Sequence, residues 1–209
     1  MKLPTIAIVV PCYEPQDLFN AYLDNAISHA SNLATFQTYF ITGPMVERQP
    51  DDPMGKPNII GSLRNKGIDM ALKDGADYLL LTDDDNLLPS NFFEVMLMFD
   101  REPVKACPGV YQVANYEWHN KVPVRTLESY EDFGMRSRSN EGALHAVKGL
   151  AWFQYVDYGN SIMFIKAEVF SHLTKPYYEG INEDYGFMEN LRKAGFKVWV
   201  APLVAVEYR

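Results

Sequence analysis

The run Ile6-Ala7-Ile8-Val9-Val10 is apolar at every position, β-branched at four of five, and closed by Pro11. Such a run reads as a strand buried on both faces, since a half-exposed strand would alternate polar and apolar residues. Tyr78 to Leu81 repeats the pattern. Between the two runs lie segments of helical period. Pro15 to about Leu33 carries Leu18, Tyr22, Leu23, Ala26 and Ile27. Ser62 to Lys73 carries Leu63, Ile68, Ala71 and Leu72, and Gly75 ends it. Phe36 to Thr42 reads as a further strand. Strands alternating with helices predict an α/β fold with a mostly parallel sheet covered on both faces. Ligands of such sheets bind at the carboxyl ends of the strands.

The rest of the chain is read the same way. Gly43 to Asn58, with four prolines and Asp51-Asp52, is expected to be a long loop. Pro89 to Phe99 is expected as a helix with Ser90 as N-cap and Met96 and Met98 as core filler. Lys105 to Val113 reads as a strand, and 114–140 as irregular. Ser161 to Ile165 reads as a strand, Lys166 to Leu173 as a short helix, and Asp184 to Ala194 as a helix capped by Gly195. Lys197 to Val200 and Val204 to Val206 are expected to be extended. No internal repeat or low-complexity linker is visible. The 209 residues are expected to form one domain, with a first half at about 1–113 and a second at about 114–209.

Charge narrows the function. Lys and Arg number 19 against 27 Asp and Glu, a net charge of −8, which disfavours a nucleic-acid partner held through its phosphates. Cys12 and Cys107 allow at most one disulfide, and a reducing, cytoplasmic setting is the simpler reading. No apolar stretch reaches the length of a membrane span. Cys12 has no histidine near it in sequence and reads as a small core residue.

Thr82-Asp83-Asp84-Asp85-Asn86 follows the second buried strand, where the sheet rule places ligands. In an extended chain Asp83 and Asp85 share a face and Asp84 points away. Neighbouring carboxylates repel unless one protonates or a cation sits between them, and hard oxygen ligands suit Mg²⁺ or Mn²⁺. Leu87 and Leu88 stand where a calcium loop needs an oxygen ligand and a glycine, which excludes an EF-hand. Neither a Walker loop nor GxGxxG is present. Asn182-Glu183-Asp184 opens the late helix; carboxylates there act as caps or, being ionised at neutral pH, as a general base.

Taken together, five segments resemble the inverting, metal-dependent nucleotide-sugar glycosyltransferases of the GT-A fold, family 2 in particular. They are Ile6 to Tyr13 with its Pro-x-Tyr, Arg64-Asn65-x-Gly67, LLLTDDDNLLP, Tyr158-Gly159-Asn160-Ser161 with the strand after it, and NEDYGFMENLRKAGFKVWVAP. They occur in the family's order along the whole chain. The resemblance implies a donor linked to UDP or GDP, a glycan or other hydroxyl acceptor, and Mn²⁺ or Mg²⁺. It implies that Asp83 and Asp84 meet the nucleotide and that Asp83 and Asp85 hold the metal. Pro11, Tyr13 and Glu14 would line the base and ribose pocket, Arg64 would face the nucleotide or diphosphate, and Gly159 and Asn160 would lie near the sugar. Asp184 would be the general base, with Glu183 beside it on donor or acceptor. Three departures stand out. Glu14 replaces a common Asn. The second strand ends in Ile41-Thr42-Gly43 without the acidic residues that often read the base, leaving both UDP and GDP open. Glu207 falls where a metal-binding His is common.

Trp152 is a candidate acceptor platform, since aromatic rings stack on sugar faces. Acceptor choice is expected to lie in 43–58 and 114–150. A retaining GT-A enzyme and a non-catalytic nucleotide-sugar-binding module are the alternatives. A nucleotidyltransferase would usually carry a Gly-rich, basic phosphate loop near the first strand, and none is found. The sequence fits a compact soluble enzyme or one domain of a longer protein.

Overall fold

The computed structural model describes residues 2–13, 16–43, 55–101, 110–115, 155–156, 162–179, 183–196 and 198–208. Its elements in chain order are β1 (Thr5–Cys12), α1 (Asp17–Ala30), β2 (Thr35–Thr42), α2 (Gly55–Lys73), β3 (Tyr78–Leu81), β4 (Asn86–Leu87) and α3 (Phe92–Arg101). Then come β5 (Val110–Asn115), β6 (Tyr155–Val156), β7 (Met163–Lys166), a 3₁₀ turn (Ala167–His172), α4 (Glu183–Lys193) and β8 (Val198–Tyr208). The strands form one sheet in the order β2-β1-β3-β7-β5-β8-β4, with β6 also on β8. β1 pairs in parallel with β2 and β3, and β5 with β8. β7 runs antiparallel to both β3 and β5. The sheet is therefore mixed, and β1, β2, β3, β5 and β8 share one direction, the mostly parallel α/β arrangement expected from the sequence.

Alternation along the strands divides the core into two layers. Ile6, Ile8 and Val10 of β1, Leu80 of β3 and Phe164 of β7 face the layer closed by α1 and α3, through Phe19, Leu23, Phe92, Phe93 and Met96. Ala7, Val9, Leu79, Leu81, Met163 and Ile165 face the opposite layer, closed by Ile68 and Ala71 of α2 and Phe187 and Leu191 of α4. Every residue from Ile6 to Val10 is fully buried, so the continuous apolar run is the signature of a strand covered twice. Each fully buried Phe contributes about 1.5–3 kcal/mol by leaving water.

Several boundaries differ from the sequence expectation. Helix α2 begins at Gly55, inside the expected loop. Pro57 is its third residue, within the first turn, where a missing N–H leaves no helical bond unmade. In α1 the buried stripe is Phe19, Leu23, Ala26 and Ala30; Leu18 and Tyr22 are exposed. Helix α3 starts at Phe92, after a turn in which Phe92 N–H donates to Pro89 O at 3.0 Å. Its inward face is Phe92, Phe93, Met96 and Leu97, so Met98 points outward and is not core filler. The two extended pieces at the end are one strand, β8, whose pairing with β5 shifts register between Val113 and Asn115, opposite the stretch holding Pro202. The strands β4 and β6 have only two residues each and leave no periodicity to read. Gly75 and Gly195 adopt φ of 79° and 84° just beyond α2 and α4, as their terminating role predicts. Among the described residues no helix is long and apolar enough to cross a membrane.

Two glycines allow close packing. A Cβ on Gly67 would lie 2.4 Å from Val9 Cγ1, and one on Gly186 would lie 1.7 Å from the backbone O of Glu179. A methyl side chain at Gly186 would have to displace main chain, whereas at Gly67 the neighbour is a side chain. Gly186→Ala is expected to cost more than Gly67→Ala, with overpacking penalties starting at about 1–3 kcal/mol, read from urea unfolding.

Tyr39 on β2 ties the sheet to the end of α2 by donating to Asp74 Oδ2 at 2.9 Å. Burial, and then the Asp74 acceptor, pushes its phenol up to about 12. The raised value means that this contribution to stability is fully present below roughly pH 10 and is lost as pH rises through about 12. Ultraviolet titration of Tyr39→Phe against the wild type should remove one late-ionising phenol.

Candidate functional site

Helix α2 lies on the sheet through Ile68 and Ala71, and Arg64 stands one turn before Ile68 on the same face. A guanidinium on a buried face is the informative exception to burial rules. Arg64 is 3% exposed. Its Nη2 donates to Asp83 Oδ1 at 2.7 Å and its Nη1 to Asp184 Oδ1 at 2.6 Å. The guanidinium lies 5.2 Å from the centroid of the Tyr178 ring, and that ring stacks on Phe187 at 4.3 Å. Burial opposes the charge on Arg64, but Asp83 and Asp184 outweigh it and hold the group protonated.

Neighbouring residues of the same helix fix this arrangement. Asn65 Nδ2 donates to Tyr178 O at 2.9 Å, and Tyr178 N–H donates back to Asn65 Oδ1 at 2.9 Å. From α4, Asn190 makes the equivalent pair with the backbone of Thr174, at 2.7 and 3.0 Å. Residues 174–178 are thus pinned between two helices by amides that satisfy the main chain of a segment outside regular structure. Within Arg64-Asn65-x-Gly67, Arg64 makes the ion pairs, Asn65 clamps the backbone of Tyr178, and Gly67 lets the helix approach β1 closely.

Asp83 follows β3 at the carboxyl end of the parallel strands, and Thr82 N–H still donates to Val9 O of β1 at 3.2 Å. Asp84 and Asp85 then occupy a turn rather than an extended segment, so the alternation expected for Asp83 and Asp85 does not apply. The turn is closed by Asn86, whose N–H and Nδ2 both reach Asp83 O at 3.4 Å. Asn86 is fully buried, and its Nδ2 also donates to Asp85 Oδ1 at 3.2 Å. Burial, and then the charge of Asp83, pushes the Asp84 carboxyl above its ordinary value. Burial and the charge of Asp84 do the same to the Cys12 thiol, so Cys12 is a buried, protonated core residue.

The predicted donor residues Pro11 and Tyr13 lie at this same sheet end. Pro11 is buried in β1 opposite Ile41, and Tyr13 is 39% exposed just past the strand. Asp184 lies in the first turn of α4 with 23% of its side chain exposed. Burial raises its carboxyl, Arg64 opposes that rise, and Asp83 adds to it. Glu183 is the first residue of α4. Glu207 is brought to the acidic turn by backbone pairing, since β8 sets Glu207 opposite Leu87. Glu14, Trp152, Gly159 and Asn160 lie outside the described residues, as do 44–54 and 116–150 of the expected acceptor region.

Among the described residues no group of three or more His, Cys, Asp or Glu is arranged around a metal position. The carboxylates of Asp83 and Asp85 are of the donor type that a hard divalent ion such as Mg²⁺ takes, alongside phosphates and water. Sequence reasoning missed Asn86, Tyr178 and Asn190. Asn86 carried a signal, being an amide at the end of an acidic run on a buried strand. Tyr178 and Asn190 have meaning only through packing.

No protein-family model matches the chain, and no curated protein matches it in sequence. Solved structures resemble it in fold. GalNAc-T7, crystallised with UDP, GalNAc and Mn²⁺, aligns with a TM-score of 0.51 at 12% identity, over 99% of this chain and 44% of that one. A glycosyltransferase involved in glycosylation of the major capsid of PBCV-1 aligns at 0.48 and 13% identity, over 95% and 81%. CMP:2-keto-3-deoxy-manno-octonic acid synthetase complexed with CTP aligns at 0.47 and 12% identity, over 98% and 90%. The chain therefore spans under half the length of the GalNAc-T7 structure. At these identities the likeness is one of fold, a GT-A-like α/β arrangement.

Breaking the central ion pairs should be costly. Arg64→Met leaves two partly buried carboxylates without their shared cation and is expected to destabilise the fold by about 3–5 kcal/mol. Arg64→Lys, which keeps the charge but cannot fork between two carboxylates, should lose less, and denaturant melts of the two variants give the comparison.

Proposed function

We propose that the chain is a family-2-like glycosyltransferase. It would transfer a sugar from a UDP- or GDP-linked donor to an acceptor hydroxyl with inversion, with Asp184 as general base. The observation that carries this reading is the double ion pair of Arg64. Through it, the carboxylate at the carboxyl end of β3 and the carboxylate at the start of α4 meet at one cation, though Asp184 lies 120 positions from Arg64. A donor-holding group and a proton acceptor at one strand end suit group transfer between two bound substrates.

In this reading Pro11, Tyr13 and Glu14 hold the base and ribose, Asp83 and Asp84 meet the nucleotide, and Gly159 and Asn160 border the sugar. Arg64 serves the donor through Asp83. Asp184 takes the proton of the acceptor hydroxyl as its oxygen bonds to the anomeric carbon. The carbon–oxygen bond to the β-phosphate breaks on the opposite face, and its electron pair leaves with the nucleoside diphosphate. Glu183 supports donor or acceptor, and Trp152 offers a stacking face to the acceptor. Asp83 and Asp85, with Glu207 from β8, are the residues to hold Mn²⁺ or Mg²⁺, which when bound would offset the charge of the diphosphate. The donor half covers about 1–113 and the acceptor half about 114–209.

Calorimetric titration of UDP and GDP, each with Mn²⁺ and with EDTA, tests the donor site. Metal-dependent binding of one nucleotide is expected; binding of neither removes the reading. Asp184→Asn should lower transfer by roughly 10²–10⁴-fold while keeping donor binding within a few-fold. Wild-type transfer by that variant would sink the base assignment. Because burial raises the Asp184 carboxyl, the acid limb of kcat/KM should fall above roughly 4, the value of a free aspartate. The anomeric configuration of the product decides between inversion and retention.

A further inference from the structure

We infer that Arg64 is a built-in counterion that competes with a divalent cation for Asp83, so that metal binds weakly to the nucleotide-free protein and is taken up together with a diphosphate. The inference rests on the glycosyltransferase reading of the same site. Three observations support it. The Oδ1 of Asp83 is already engaged by Arg64 Nη2 at 2.7 Å. The guanidinium is 3% exposed and held from a second side by Asp184 at 2.6 Å, so it is a fixed charge rather than a surface side chain that swings away. The Tyr178 ring that it faces is in turn locked by Asn65, the next residue of the same helix.

A cation placed on Asp83 therefore meets the buried positive charge of Arg64, whose Nη2 lies 2.7 Å from Asp83 Oδ1. In a partly buried site that repulsion is worth more than a tenfold change in affinity. A diphosphate arriving with the cation brings negative charge that offsets the repulsion. Arg64 is then a positioning residue: it holds Asp184 in place and sets the order in which the site fills.

The test titrates Mn²⁺ alone, by calorimetry, into the wild type, Arg64→Lys, Arg64→Met and the double variant Arg64→Met/Asp184→Asn. The double variant removes one charge of each sign. Its net charge equals that of the wild type while Asp83 is left without its guanidinium, and it avoids stranding Asp184. Mn²⁺ alone is expected to bind Arg64→Met and the double variant at least ~10-fold more tightly than the wild type, and Arg64→Lys close to the wild type. Circular dichroism confirms that each variant is folded; if Arg64→Met alone is not, the double variant decides. A folded double variant that binds Mn²⁺ no more tightly than the wild type overturns the inference.

A parallel titration of Mn²⁺ with UDP or GDP separates this inference from the reading beneath it. Nucleotide binding with unchanged Mn²⁺ affinity sinks the Arg64 inference and leaves the glycosyltransferase reading standing. Tighter Mn²⁺ binding in the variants, with no nucleotide bound by any protein, keeps the competition at Asp83 but overturns both uptake with a diphosphate and the glycosyltransferase reading.

Discussion

The contact between Arg64, Asp83 and Asp184 is the constraint on which the rest of the site depends. It joins α2, the end of β3 and the start of α4 at one buried point. Desolvating a guanidinium and two carboxylates is unfavourable, and their mutual attraction offsets it only where the geometry is close. The two glycines make that geometry available. Gly67 lets α2 settle onto Val9, and Gly186 lets α4 settle against residue 179. Without these approaches the charges would stand further apart and the balance would turn against burial.

The apolar layers beneath serve the same end. Strand alternation sends Ile6, Ile8 and Val10 one way and Ala7 and Val9 the other, so β1 is held rigidly from both sides. Small Ala7 and the close helix α2 belong to one face; the large rings of Phe19, Phe92 and Phe93 fill the other. The face that carries α2 also holds the rings of Phe170 and Phe187, and it is the one that brings Arg64 near the sheet end.

Much of this was legible in the sequence because it rests on local pattern. Continuous apolar runs at Ile6–Val10 and Tyr78–Leu81 pointed to the doubly covered strands, and Gly75 and Gly195 to the helix ends. Asp83 stood out by its place after a buried strand, Asp184 by its place at a helix start and Arg64 through the resemblance, but their meeting could not be read, since it is set by tertiary packing across 120 positions. Pro57 misled because proline marks a loop and a first helical turn equally well. The acidic turn misled because a buried Asn86, rather than strand geometry, decides how Asp85 is held. Tyr178 and Asn190 act through main-chain atoms and ring faces, which leave no periodic trace.

The place of β7 in the sheet has a consequence for how the chain folds. β1, β2 and β3 are joined by short-range crossovers within residues 5–81 and can assemble as soon as they have been synthesised. The far edge of β3 must wait for Met163 to Lys166. During translation, that edge stays open while more than eighty further residues emerge, with unpaired N–H and C=O groups beside Leu79, Leu80 and Leu81. Closure across such a sequence separation is slow, because loop entropy is lost before the contacts are gained. The interval between making β3 and making β7 is thus the period in which a nascent chain is most exposed to pairing with the wrong strand.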